Sequence, residues 1–132
     1  MALITYLAED NATIARNLIE TLEEICDVKV VGFGITQAEA SRWLSLHDGQ
    51  WSLAIVDLFL KEGSGLGVLT GCRKRESYQK VVVLTNYATA DVRARCTQLG
   101  VDAVYDKSNE IDALVAFCLQ HCATLSATPP AP

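Results

Sequence analysis

The sequence predicts an α/β domain in which five parallel strands are covered by helices on both faces. Short apolar runs alternate with helix-length segments five times along the 132 residues, the pattern of repeated strand–helix units. The runs are apolar at nearly every position, as in Leu53-Ala54-Ile55-Val56 and Val81-Val82-Val83-Leu84, and such strands are buried on both faces. Polar residues gather at the carboxyl ends of these runs, the edge where open parallel sheets hold their ligands. Half of the residues are hydrophobic, enough for one full core, and a chain of this length has no room for a second domain.

Taken in order, Leu3 to Ala8 reads as the first strand, ending in Glu9-Asp10-Asn11. From Ala12 to Ile25, the residues Ile14, Leu18, Leu22 and Ile25 recur at helical spacing, with Glu20, Glu23 and Glu24 opposite, which predicts an amphipathic helix. Val28 to Phe33 is the second strand. Thr36-Gln37-Ala38-Glu39 has the Thr-x-x-Glu form of a capping box, so a helix carrying Ala40, Trp43 and Leu44 begins there and ends near His47-Asp48-Gly49. The apolar run Leu53 to Leu60 is the third strand, with Asp57 near its end.

Lys61 to Gly65 is a loop, and Leu66 to Arg75 the third helix, with Leu66, Leu69 and Cys72 on one face. Gly67 and Gly71 each weaken it by about 1 kcal/mol relative to alanine, so it is expected to be soft or packed unusually close. Val81 to Thr85 is the fourth strand, Thr89 to Leu99 the fourth helix with Gly100 in the C-cap role, and Val101 to Tyr105 the fifth strand. Ser108 to Leu125 is the last helix, with Ile111, Leu114, Val115 and Cys118 facing inward. The domain is therefore expected to span residues 1–125. Residues 126–132, rich in Pro and Ala, are expected to be a disordered tail.

Composition narrows the function. The formal charge is −5 and the longest basic run is Arg73-Lys74-Arg75, which gives little support to a nucleic-acid or anionic-membrane surface. No basic leader or apolar stretch of membrane-spanning length is evident, so a cytosolic chain with protein or small-ion partners is expected. The five cysteines lack Cys-x-x-Cys spacing and are expected to be reduced core residues. Cys118, His121 and Cys122 lie at helical spacing, as soft-metal ligands on one helix would, but a closed zinc site needs four, and small apolar fillers are the simpler reading.

The chemistry is concentrated at the strand ends: Glu9 and Asp10 after the first, Asp57 at the third, Thr85 at the fourth and Lys107 just past the fifth. An aspartate at the end of an apolar strand is poorly solvated, so it needs a cation, a metal or a chemical role. The plainer alternative is that Asp57 only caps the following turn. Two acids, a third acid, a hydroxyl and a lysine all meeting at one edge favour a chemical role.

These residues carry a resemblance. The acidic pair Glu9-Asp10, the Val56-Asp57-Leu58-x-Leu60 segment with its following Gly63-x-Gly65, the Thr85 of Val82-Val83-Leu84-Thr85-Asn86 and the Lys107 of Tyr105-Asp106-Lys107-Ser108 stand in order. The chain resembles the response-regulator receiver domain, the CheY-like family of two-component signalling, from about residue 2 to 124. The resemblance implies a flavodoxin-like (βα)5 fold with strand order 2-1-3-4-5. It also implies a signalling domain rather than a conventional enzyme, with Asp57 as phosphoacceptor and Thr85 and Lys107 as phosphoryl ligands. Mg²⁺, or Mn²⁺ in its place, would be held by Asp10, Asp57 and the backbone carbonyl of Phe59, with Glu9 acting through a water.

The implied phosphodonor is a histidine kinase or a histidine phosphotransfer protein. A downstream protein target is expected on the fourth helix, fifth strand and fifth helix, and a homodimer is left open. No output domain is expected within this sequence, so the chain is either a stand-alone regulator or a phosphorelay intermediate. Two other classes fit less well. A flavodoxin-type cofactor binder would need a phosphate cradle after the first strand, where Glu9 and Asp10 would repel it. An aspartyl phosphohydrolase would need a second acid beside the acceptor, and Leu58, Phe59 and Leu60 supply none.

Three positions depart from the family pattern. Val104 stands where an aromatic is usual, with Tyr105 one residue later; Ser108 replaces the common proline, so no cis peptide is expected there; and Glu9 replaces an aspartate. Phe59 and Tyr87, two residues after the acceptor and after the threonine, are both bulky and are expected to shield a phosphorylated Asp57 from water.

Overall fold

The computed structural model describes residues 2–127. Strands and helices alternate as β1 (Leu3–Ala8), α1 (Ala12–Ile25), β2 (Val28–Gly34), α2 (Gln37–Leu46), β3 (Leu53–Val56), α3 (Gly65–Gly71), β4 (Lys80–Thr85), α4 (Ala90–Gln98), β5 (Ala103–Asp106) and α5 (Ile111–Ala127). Every strand pair is parallel and the sheet order is β2-β1-β3-β4-β5, the doubly wound order expected. Among the described residues no helix is long and apolar enough to cross a membrane.

Because strand side chains alternate between faces, the sheet divides the core into two layers. Tyr6, Ala54, Val56, Val81 and Val83 pack on one face against Leu44 of α2, Val68 of α3 and Cys96 of α4. Leu7, Leu53, Ile55, Val82 and Leu84 pack on the other against Leu18 and Leu22 of α1 and Leu114 and Cys118 of α5. Each large side chain so buried contributes about 1.5–3 kcal/mol, which is what makes the strand positions rigid enough to aim side chains at the carboxyl edge.

The helix starts follow local chemistry. The Asn11 side chain accepts the Ile14 N–H at 3.0 Å to cap α1, and Thr36 accepts the Glu39 N–H at 3.1 Å to cap α2. The capping box is only half closed, because Glu39 accepts from the Ile35 N–H, one residue before the cap, at 3.5 Å.

Several boundaries differ from the sequence reading, each for a tertiary reason. The inward stripe of α1 ends on Cys26, 5% exposed, while Ile25 is 54% exposed; the thiol of Cys26 lies 3.8 Å from the Val115 carbonyl of α5. β3 stops at Val56 because Leu58 turns to accept the Gly65 N–H at 3.0 Å. β5 begins at Ala103 because Asp102 is a crosslink, its Oδ2 accepting from the Val81 N–H at 2.8 Å and from Arg75 at 2.9 Å. α5 begins at Ile111, because Ser108 N–H and Glu110 N–H fold back on Asp106 at 2.7 and 2.8 Å. It continues through Ala127, so Ser126 and Ala127 belong to the helix; the rest of the expected tail lies outside the described residues. The Lys107–Ser108 peptide is trans.

α3 closes at Gly71, well before Arg75. A Cβ at Gly67 would lie 2.1 Å from the Gln37 amide nitrogen, and Gln37 is itself held by the Ser64 N–H at 2.8 Å. The close packing against α2 is therefore real at Gly67. At Gly71 a Cβ would meet nothing within 4 Å. In urea denaturation we expect Gly71→Ala to raise the unfolding free energy by up to about 1 kcal/mol, and Gly67→Ala to lower it by about 1 kcal/mol through loss of the Gln37–Ser64 bond.

Candidate functional site

Parallel register sets the functional residues side by side. Ala8 pairs with Val56 and Val56 with Val83, so Glu9 and Asp57 are each the first residue beyond aligned strand positions. Thr85 pairs with Asp106, which puts Lys107 one step past the same edge. The Asp57 N–H donates to the Ala8 carbonyl at 2.9 Å, extending the ladder and fixing the acid's backbone. A Cβ at Gly65 would lie 2.1 Å from the Asp57 carbonyl oxygen; only glycine lets α3 start directly behind that residue.

The side chains then close on one another. Lys107 Nζ lies 2.7 Å from Asp57 Oδ2 and also pairs with Glu9 Oε2. The second oxygens are held by main-chain amides, Glu9 Oε1 by Asn11 at 3.1 Å and Asp57 Oδ1 by Phe59 at 3.3 Å. Glu9 is 2% exposed and Asp57 5%, whereas Asp10 stands at the exposed rim. Burial raises the Glu9 carboxyl above its ordinary range; the charge of Asp57 adds to this, and the Lys107 and Asn11 contacts offset only part of it. Burial alone would pull the Lys107 ammonium down, but its bonds to Asp57 and Glu9 and their charges outweigh that and raise it.

Ligand oxygens of Glu9, Asp10 and Asp57 all lie within 4.8 Å of one another. Three carboxylates against one ammonium leave two formal negative charges, and hard oxygen donors with that excess suit a divalent cation. The cluster fits a divalent-metal site. Among the described residues it is the one such group of three acid, His or Cys side chains; Cys118, His121 and Cys122 do not form another, and His121 instead bonds the Ser52 carbonyl at 3.1 Å. Four of the five cysteines are buried and Cys122 is half-buried.

Thr85 is fully buried at the same edge, its Oγ1 accepting the Tyr87 N–H at 3.2 Å and its carbonyl the Lys107 N–H at 2.9 Å. Phe59 and Tyr87 pack against each other, ring centroids 4.8 Å apart and tilted by 56°, and both are more than half exposed. Val104 packs with the α2–α4 layer. Tyr105 belongs to the opposite layer, edge-on to Phe117 at 6.3 Å, so it cannot replace the aromatic missing at position 104. The sequence reading missed the direct Glu9–Lys107 pair and the bonds of Arg93 and Glu110 described below. Neither has a local signature, since the partners are far apart in the chain.

The response regulator receiver domain family matches residues 5–118, and the chain belongs to that family. No curated protein matches it. Among solved structures, a DNA-binding response regulator of the LuxR family from Staphylococcus aureus aligns with a TM-score of 0.79 at 19% identity, covering 90% of this chain and 98% of that one. The receiver domain of a Francisella response regulator aligns at 0.78 and 18% identity, covering 93% and 98%. A response regulator from Burkholderia pseudomallei, solved with a phosphorylated aspartic acid, a calcium ion and citrate, aligns at 0.72 and 21% identity, covering 94% of this chain and 71% of that one. At these identities the likeness is one of fold.

The charges make a stability prediction for the metal-free protein. With its carboxyl raised above the ordinary 4.5, Glu9 holds its proton more tightly folded than unfolded. The stability this contributes is complete below that ordinary value and lost as pH rises through the folded one. Ionised Glu9 is therefore a net cost at neutral pH, and Glu9→Gln should raise the metal-free melting temperature at pH 7.5. Lys107→Ala leaves two buried carboxylates without their cation and should cost about 3 kcal/mol in urea denaturation.

Proposed function

We propose that the chain is a phosphoacceptor in two-component signalling, taking a phosphoryl group on Asp57 from a phosphohistidine of a histidine kinase or phosphotransfer protein. The observation that carries this is the Asp57 carboxylate itself: 5% exposed, at the carboxyl edge of a parallel sheet, 2.7 Å from Lys107 and grouped with two further acids. One Asp57 oxygen attacks phosphorus, the P–N bond of the donor breaks, and the imidazole leaves with the electron pair and takes up a proton. The product is an acyl phosphate.

The residues divide the task of stabilising that transfer. Lys107 brings a compact positive charge and Thr85 a hydroxyl to the phosphoryl oxygens. Asp10, Asp57 and the Phe59 carbonyl would hold Mg²⁺ or Mn²⁺, with Glu9 acting through a water. Once bound, the cation would neutralise the two excess negative charges that otherwise repel a phosphoryl donor. A cleft of about 310 Å³ beside Lys107, lined by Ile14, Leu18, Asn86 and Ile111 among others, supports approach of a protein donor along α1. We take the receiver unit to run through the end of α5, acting in the cytoplasm, with its target engaged through α4, β5 and α5.

With Mg²⁺ and a small phosphodonor, the protein should gain one phosphoryl group by intact-mass spectrometry, and Asp57→Asn should abolish the gain. Asp10→Asn should abolish the melting-temperature shift on Mg²⁺ addition. At a metal concentration ten times the dissociation constant that shift corresponds to about 1.4 kcal/mol, or a few degrees. An unlabelled wild type beside a labelled control receiver would overturn the reading.

The Phe59–Tyr87 pair leads to a prediction about lifetime. Neither ring can act as a water-orienting base at neutral pH, and the bulk of two rings flanking the acceptor edge should keep water from the in-line path. Replacing Phe59 by Asn and Tyr87 by Glu together should shorten the acyl-phosphate lifetime several-fold in Mg²⁺ buffer. Unchanged or slower loss of label would show that the rings do not gate water.

A further inference from the structure

Arg93, on α4, reaches acceptors in three different segments of the active edge. Its Nε donates to the Ala88 carbonyl at 3.0 Å, Nη1 to the Val104 carbonyl at 2.8 Å and Nη2 to Glu110 Oε1 at 2.5 Å. The same Glu110 oxygen accepts the Asp106 N–H at 2.9 Å, and the Glu110 N–H returns to the Asp106 carbonyl at 2.8 Å. Ala88 lies in the segment that follows Thr85, and Asp106 immediately precedes Lys107. One guanidinium thus holds both the segment that carries Thr85 and the segment that carries Lys107. The two segments also touch directly, the Lys107 N–H on the Thr85 carbonyl at 2.9 Å and the Ser108 hydroxyl on Asn86 Oδ1 at 3.4 Å.

An ordinary surface ion pair does not describe this arrangement. Arg93 and Glu110 side chains are 40% and 34% exposed, and a pair so placed contributes little as a charge contact alone. Two of the three bonds, however, go to main-chain carbonyls, whose positions follow the backbone. A planar fork with fixed donor directions is suited to setting three such acceptors relative to one another, and an ammonium is not. The Glu110 carboxyl is lowered from its ordinary range, first by its bond to Arg93 and then by the Asp106 amide. It therefore stays an acceptor for both across the neutral range.

We propose that Arg93 is a positioning residue for phosphoryl transfer to Asp57, holding the Thr85 and Lys107 segments in one fixed relation so that both side chains meet the phosphoryl group together. The inference rests on the phosphoacceptor reading of Asp57. Arg93 touches neither the acid nor the phosphoryl group. Its effect passes through the two backbone segments, and the same bonds carry any shift of those segments to α4.

The test is the rate of phosphoryl gain from acetyl phosphate with Mg²⁺, followed by intact mass in wild type, Arg93→Gln, Arg93→Lys, Thr85→Ala and the Thr85→Ala/Arg93→Gln double variant, with urea midpoints as a folding control. Arg93→Gln should slow the gain about tenfold, since misplacing a reacting group by ~1 Å can cost up to 10²-fold. Arg93→Lys should fail to restore it. The double variant should react within about twofold of Thr85→Ala alone, because residues acting through one another are not additive. A wild-type rate in Arg93→Gln, or a double variant slowed by the product of the two single effects, would overturn the proposal while leaving the phosphoacceptor reading intact. No gain in the wild type would overturn both. If Arg93→Gln does not fold, Glu110→Gln decides: a rate about threefold slower supports the proposal, given that it weakens one bond of three, and the wild-type rate overturns it.

Discussion

The active edge depends on one ammonium shared by two buried carboxylates. Glu9 and Asp57 are both almost without solvent, and a buried carboxylate without a partner is untenable near neutral pH. Lys107, one residue past β5 and far from both in sequence, supplies the missing charge. It can do so only because four parallel strands, β1, β3, β4 and β5, end in register. The sheet's order and its two apolar layers are thus the condition for the charge cluster. The cluster in turn remains two charges short of neutral when Asp10 is included, which biases it toward a divalent cation.

How much of this could be read from sequence follows from the range of the interactions. Strands were legible because their apolar runs are local, and the cap at Thr36 because capping is decided within four residues. Asp57, Glu9, Thr85 and Lys107 stood out because polar residues at the ends of apolar strands have few other uses. The start of α5 was not legible: Ile111 follows a turn set by Asp106, Glu110 and, from another helix, Arg93. The replacement of Ile25 by Cys26 in the core was hidden for a similar reason, since both positions continue a helical stripe and only contact with α5 chooses between them.

Position 104 shows how a single departure redistributes structure. Receivers usually place an aromatic there; valine, with a smaller and stiffer side chain, has no ring to move between inward and outward positions. Tyr105 cannot supply that motion because adjacent strand residues face opposite layers. The Val104 carbonyl, by contrast, is held by Arg93. The connection between the active edge and α4 in this chain therefore runs through main-chain acceptors and a guanidinium, not through a buried ring.

A second arginine shows why that connection lies where it does. Arg75 bonds the carbonyls of Cys72, Gln79 and Gly100 at 2.7–3.0 Å and Asp102 at 2.9 Å, tying the loops at the amino ends of β4 and β5. Its side chain is 11% exposed, against 40% for Arg93 at the opposite end. Both ends of the same strand pair are stapled by one arginine, but the staple away from the site is sealed and the one beside it is open to water. Competition from solvent makes hydrogen bonds cheaper to break where they are exposed, so local opening is favoured at the carboxyl edge.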